Sequence, residues 1–131
     1  MPLGCAVTTS AKTVRESIAR SRARLKARHL DALRRRITDV LNQEPRIEAG
    51  VYLFGSWASD RFDAQSDTDL LAVVPDGTDG GEVERRLMQV AEDVITVSES
   101  QWHARSTENA EFWQRLAAER VLLTDTRSAQ R

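Results

Sequence analysis

The sequence predicts an α/β (α+β) fold, a small sheet of about four strands flanked by helices. Three observations carry that expectation. A long arginine-rich segment places its apolar residues at helical spacing. Four short apolar runs are rich in strand formers. Helical patterns fall between those runs, and such alternation argues for helices layered on a sheet.

Each element follows from its residues. Met1 to Thr9 lacks periodicity, so 1–9 is expected to be a flexible N-terminus. From about Ser10 to Asn42, Val14, Ile18, Leu25, Leu33, Ile37, Val40 and Leu41 form one stripe, with Arg and Lys filling most other positions. The stripe weakens near Arg28-His29, where a break is expected, and Pro45 stops the helix. Gly50 to Phe54 is a short buried strand running into Gly55-Ser56-Trp57-Ala58, a turn that should open a short helix. Asp69 to Val74 is a second buried strand, ended by Pro75, and 76–81 is a loop. Glu82 to Glu92 gives a further helix with Val83, Leu87, Val90 and Ala91 on its apolar side. Val94 to Val97 is a third strand, Ser100 to Arg105 a helical turn, Asn109 to Arg120 a helix and Val121 to Leu123 a fourth strand. The expected order is α-β-α-β-α-β-α-β, in a single domain over 10–124 that includes the basic helix, with 125–131 as a frayed tail. Strand polarity is not legible at this stage.

Composition narrows the function classes. At 131 residues, 40% hydrophobic and 30% charged, the chain is of globular type. Its single cysteine, Cys5, excludes an internal disulfide and suits a reducing cytoplasm, the expected location. No apolar run approaches the roughly 18 residues of a membrane span. The net charge of -1 hides an asymmetry: residues 1–36 hold ten Lys and Arg against Glu16 and Asp31, the remainder nine against 18 Asp and Glu. A basic arm for nucleic acid is one reading. The basic residues run round the whole non-apolar face without interleaved aromatics, which favours a solvated helix or one docked on an acidic surface.

The chemistry-bearing stretch is Gly55-Ser56, ten residues, then Asp67-Thr68-Asp69 opening a buried strand. A glycine ending a strand lets backbone approach a ligand closely. The following serine and turn offer a hydroxyl and N–H groups to phosphate oxygens. Residues i and i+2 of a strand share a face, so Asp67 and Asp69 can meet one metal, or a pair about 3.5–4 Å apart. Mg²⁺ takes one or two carboxylates plus substrate phosphates, so a Mg-triphosphate completes such a site. Turns use Gly-Ser and loops use Asp-x-Asp, but this pattern arises by chance in roughly one chain per thousand of this length. The adjoining Leu70-Leu71-Ala72-Val73 sets the aspartates on a core strand instead of a loop.

Leu53-Phe54-Gly55-Ser56-Trp57-Ala58 followed by Ser66-Asp67-Thr68-Asp69-Leu70-Leu71 resembles the signature of the minimal nucleotidyltransferases within the DNA polymerase β superfamily. The element order from Val51 to Leu123 resembles that family as well. The resemblance implies a mixed sheet with the polymerase β-like nucleotidyltransferase fold. It implies that Gly55 and Ser56 bind the triphosphate of ATP or another NTP, and that Asp67 and Asp69 hold Mg²⁺ (or Mn²⁺). A third acidic residue on a neighbouring strand joins them and helps deprotonate the attacking hydroxyl; Asp93, in Asp93-Val94-Ile95-Thr96, resembles the family pattern there. Its neighbour Glu92 points to the opposite side if the strand has already begun.

One departure stands out. After the alanine the family has an arginine and a glycine, where this chain has Ser59 and Asp60, leaving Arg61 as the compensating cation near the phosphates. The resemblance also implies an acceptor on a partner protein, a small helical HEPN-type protein in a toxin–antitoxin pair. The alternative is a catalytically weak or inactive module that keeps the fold and acts by binding a partner. Trp102, Phe112 and Trp113 cluster near the C-terminus; Phe112 and Trp113 cannot both face the core from one helix. His29, His103 and Cys5 are expected to carry no chemistry.

Overall fold

The computed structural model describes residues 11–63, 65–106 and 111–127, so Cys5 lies outside the described residues. Eight elements run in the order α1 (Ala11–Asn42), β1 (Gly50–Phe54), β2 (Asp69–Val74), α2 (Gly80–Leu87), β3 (Asp93–Ser98), α3 (Glu99–Ser106), α4 (Glu111–Glu119) and β4 (Val121–Asp125). The strands form one sheet ordered β3-β2-β1-β4. β1 runs antiparallel to both β2 and β4, whereas β2 and β3 are parallel. The expected mixed four-stranded sheet is the one found.

The chain divides into two compact units at Asp31/Ala32. In the first, the described residues are helical throughout, and α1 passes Arg28-His29 without the expected break. Val14 and Ile18, 44% and 54% exposed, show that the apolar stripe is left uncovered there.

The second unit holds the sheet. Leu33, Ile37 and Leu41, one turn apart on α1, are buried, as are Val51, Leu53, Leu70 and Ala72 on one sheet face and Val83 and Leu87 on α2. The opposite face packs Leu71, Val73 and Val97 against Leu116 of α4, with Tyr52, Phe54, Ile95, Trp102 and Trp113 completing the cluster. Helices therefore cover both faces. Arg120 lies over the rings of Tyr52 and Trp102, 5.1 Å from each centroid, where its cation meets two π faces.

α2 begins two residues before the expected Glu82, because Asp79 caps it by accepting from the N–H groups of Gly81 and Glu82. It also ends at Leu87, so Val90 and Ala91 lie beyond it rather than on its apolar face. No helix intervenes between β1 and β2 among the described residues, which corrects the expected alternation. The tail expected to fray from 125 is held as far as Arg127: Thr126 donates from N to Ala49 O at 2.9 Å, and Arg127 pairs with Asp125 at 2.8 Å.

Within α2, the Glu82 carboxylate accepts from Arg85 at 2.6 and 3.0 Å and from Arg86 at 3.0 Å. Those bonds, Arg85 first, lower its pKa from 4.5 to about 2. A depressed carboxylate stabilises the fold fully above its unfolded pKa and loses that contribution as pH falls through its folded value. Glu82→Gln is therefore expected to melt below wild type at pH 7. Thermal melts across pH should show the gap closing between about pH 4.5 and 2; a gap constant with pH would contradict it.

Candidate active site

The site begins where β1 stops. Gly55 has φ 78°, the left-handed region that glycine enters without strain. Its carbonyl accepts from Ala58 N, Ser59 N and Ser59 Oγ at 3.1, 3.1 and 3.0 Å. Arg61 N then donates to Ser56 O at 3.1 Å. The result is one tight turn over 55–60, not the expected short helix. It cannot continue because Asp60 has φ 65°. Asp60 occupies the place of the glycine in the resembled signature, and aspartate is among the few L-residues that visit this region readily. Asp60 therefore puts a negative charge at a left-handed position beside the turn.

Trp57 holds the returning loop. Its ring stacks on Phe62 at 4.4 Å and 10°, and its Nε1 donates to Ser66 O at 3.2 Å. Both rings are buried. The chain is thereby turned back so that Asp69 enters β2 directly opposite Phe54.

The carboxylates then assemble through register. Parallel pairing sets Asp69 beside Asp93. Alternation puts both on the face of Leu71, Val73, Ile95 and Val97. Asp67, two residues before Asp69, is exposed, as is Asp93. Thr68 is buried, and clasps β3 through bonds from Glu92 N and Asp93 N to its carbonyl at 3.1 and 3.2 Å. Thr68 N donates in turn to Glu92 Oε2 at 2.6 Å. Strand β3 starts at Asp93, so Glu92 lies before it and joins the cluster. Burial, then the charges of Asp93, Asp67 and Glu92, push the Asp69 carboxyl above its ordinary value.

A cation would relieve this crowding of negative charge. Among the described residues no group of three or more His, Cys, Asp and Glu is arranged to hold a metal by itself. Mg²⁺ asks for only one or two carboxylates when phosphate oxygens supply the rest, so this looser donor set fits it.

Asp69 also presses on the turn. A Cβ at Gly55 would collide with Asp69 Oδ2 and lie 3.3 Å from its Cγ. Gly55→Ala should therefore lose about 1–2 kcal/mol for the left-handed backbone alone. Displacement of the carboxylate should also cut Mg-nucleotide affinity more than about tenfold, roughly 1.4 kcal/mol. Denaturant titration and calorimetry measure the two effects; wild-type values for both would refute the close-approach argument.

Arg61, the expected cation near the phosphates, pairs with Glu119 of α4 at 4.0 Å and lines a cleft of about 200 Å³ between the Gly55 turn and that helix. Phe54, Gly55, Phe112, Arg115 and Leu116 form the other walls. Sequence reasoning placed neither Glu92 nor this cleft in the site. The signal for the cleft was present in part: Phe112, Arg115, Leu116 and Glu119 stand at helical spacing on one side of α4.

The profile described as nucleotidyltransferase domain matches residues 34–122. A crystal structure from Sulfolobus solfataricus, provisionally named a nucleotidyltransferase, is similar at TM-score 0.52 and 20% identity, covering 80% of this chain and 87% of that one. That likeness concerns the fold. A toxin–antitoxin structure with AMP-PNP aligns at TM-score 0.45 and 19% identity over 74% and 75% of the two chains. No curated protein matches. Among the described residues no helix is long and apolar enough to cross a membrane. The profile spans both aspartate-bearing strands, the Gly55 turn and α4, and on that match the chain belongs to the nucleotidyltransferase domain family of the polymerase β-like superfamily.

Proposed function

We propose that this nucleotidyltransferase moves a nucleoside monophosphate, AMP in the first instance, from a metal-bound NTP to a hydroxyl on a partner protein. One observation carries the reading: Asp69 lies in register with Asp93 and against the Cα of Gly55. Carboxylates and a phosphate-binding turn then share one sheet edge. Gly55 and Ser56 receive the triphosphate, with the glycine leaving room for it. Asp67 and Asp69, with Asp93 beside them, are the residues that would hold Mg²⁺ or Mn²⁺. When bound, such an ion neutralises charge on the phosphates and on the leaving pyrophosphate. Asp93, exposed at the start of β3, accepts the acceptor's hydroxyl proton. The acceptor oxygen bonds to the α-phosphorus as the bond from that phosphorus to the pyrophosphate oxygen breaks.

The protein acceptor follows from the resemblance, which implies a small helical HEPN-type partner in a toxin–antitoxin pair. The uncovered stripe at Val14 and Ile18 supports a protein partner. The test is transfer of label from ATP, with Mg²⁺, to such a partner encoded beside this chain. Label reaching the partner with wild type but not with Asp67→Asn/Asp69→Asn supports the reading. Neutralisation of the partner that survives the double substitution, without label, replaces it with a binding module.

A further inference from the structure

We propose that the cleft between the Gly55 turn and α4 receives the nucleobase of the nucleotide, stacked on Phe112. The inference rests on the nucleotidyltransferase reading above and names how the same site holds its ligand. Gly55 belongs to both turn and cleft: the Asp69 carboxylate lies against its Cα, and the same residue lines the cleft beside Phe54, which pairs with Asp69 across the sheet. A nucleotide whose phosphates meet the turn thus has the cleft next to it for its base.

The cleft has the size and lining for that group. At about 200 Å³ it is smaller than the ~300–1,000 Å³ pockets that enclose a drug-sized ligand. It suits one planar ring system with the rest of the ligand outside. Phe54, Phe112 and Leu116 supply apolar and aromatic wall, and Arg61 and Arg115 stand among them as cations. Phe112 is 51% exposed, a large apolar ring left uncovered at the cleft wall. Trp113, packed into the core cluster, holds that ring edge-on at 5.1 Å and 80°, which fixes its orientation. The two guanidinium groups stand in solvent-accessible pairs, Arg61 with Glu119 and Arg115 with Glu111. Such pairs contribute little and exchange readily for a ligand phosphate or base edge. Stacking accepts any base, so recognition here favours ring area over hydrogen-bond pattern.

The test compares ATP with inorganic triphosphate, each with Mg²⁺, by calorimetry on the full chain. Phe112→Ala should weaken ATP binding roughly 5- to 100-fold, the range for loss of one aromatic–base stack. It should leave triphosphate binding unchanged, and Phe112→Tyr should retain ATP affinity. Two results overturn the proposal: ATP binding by Phe112→Ala equal to wild type, or equal losses for ATP and triphosphate. The first, joined to reduced transfer, would assign the cleft to the acceptor. Wild type that binds neither ligand would remove the nucleotidyltransferase reading as well, whereas wild type that binds both, with Phe112→Ala indifferent, would remove this inference alone.

Discussion

Asp69→Asn is expected to reduce nucleotidyl transfer by at least about 10²–10³-fold, the effect of deleting one preorganised electrostatic group at a reacting centre, while raising the melting temperature of the metal-free protein. The two effects have one cause. Asp69 is partly buried and faces the charges of Asp93, Asp67 and Glu92, so its carboxyl is held above its ordinary value. A carboxylate raised on folding is one that the fold tolerates poorly when ionised, so its unfavourable contribution grows as pH rises from the unfolded value through the folded one. Asparagine keeps the shape and removes the charge. The melting advantage of Asp69→Asn should therefore be full at neutral pH and shrink as pH falls toward 3.8. Saturating Mg²⁺ with nucleotide should narrow or reverse the gap, because wild type gains more from binding than a variant lacking one carboxylate. Transfer at near wild-type rate would separate Asp69 from the chemistry assigned to it, and a variant less stable than wild type without metal would refute the charge crowding as the cause.

That tension between stability and charge was only half visible in the sequence. Gly55, Ser56, Asp67 and Asp69 were legible because their relation is local: a glycine closing one apolar run, and two aspartates two apart opening another. Strands β1 and β2 fall on the expected residues for the same reason. Asp93 is different. Its place beside Asp69 depends on parallel pairing of β2 with β3, which periodicity does not encode. Glu92 was set aside on the condition that the strand already included it, and the bonds from Glu92 N and Asp93 N to Thr68 O start the strand one residue later. The helix expected after Gly55 failed on backbone geometry, with Ser59 bonding back to Gly55 O and Asp60 turning left-handed. The split between Phe112 and Trp113 was foreseen from their adjacency; which of them faces outward was decided by the packing of Trp113 with Leu116 beneath the sheet.

The least legible residue is Arg86, and it carries the largest stability prediction: Arg86→Met is expected to cost about 2–4 kcal/mol, the loss that follows when carbonyls out of reach of bulk water lose a charged donor. In sequence it is one more charge on an amphipathic helix. In the fold it is 3% exposed. Its Nε donates to Glu82 at 3.0 Å, its Nη1 to Val40 O and Gln43 O at 3.0 and 2.9 Å, and its Nη2 to Pro45 O at 2.8 Å. The last turn of α1 has no basic residue of its own, so this guanidinium supplies the positive charge that the carbonyl end of the helix favours. Methionine fills similar space but leaves three carbonyls without their donor. Lysine restores the charge yet offers a compact ammonium to acceptors spread around a planar fork, so Arg86→Lys should fall between Met and wild type. Against a domain stability of roughly 5–15 kcal/mol, the Met variant should unfold at far lower denaturant with the slope unchanged. A loss below about 1 kcal/mol would mean that water replaces the guanidinium at those carbonyls, and that α1 and α2 are held together by their apolar faces alone.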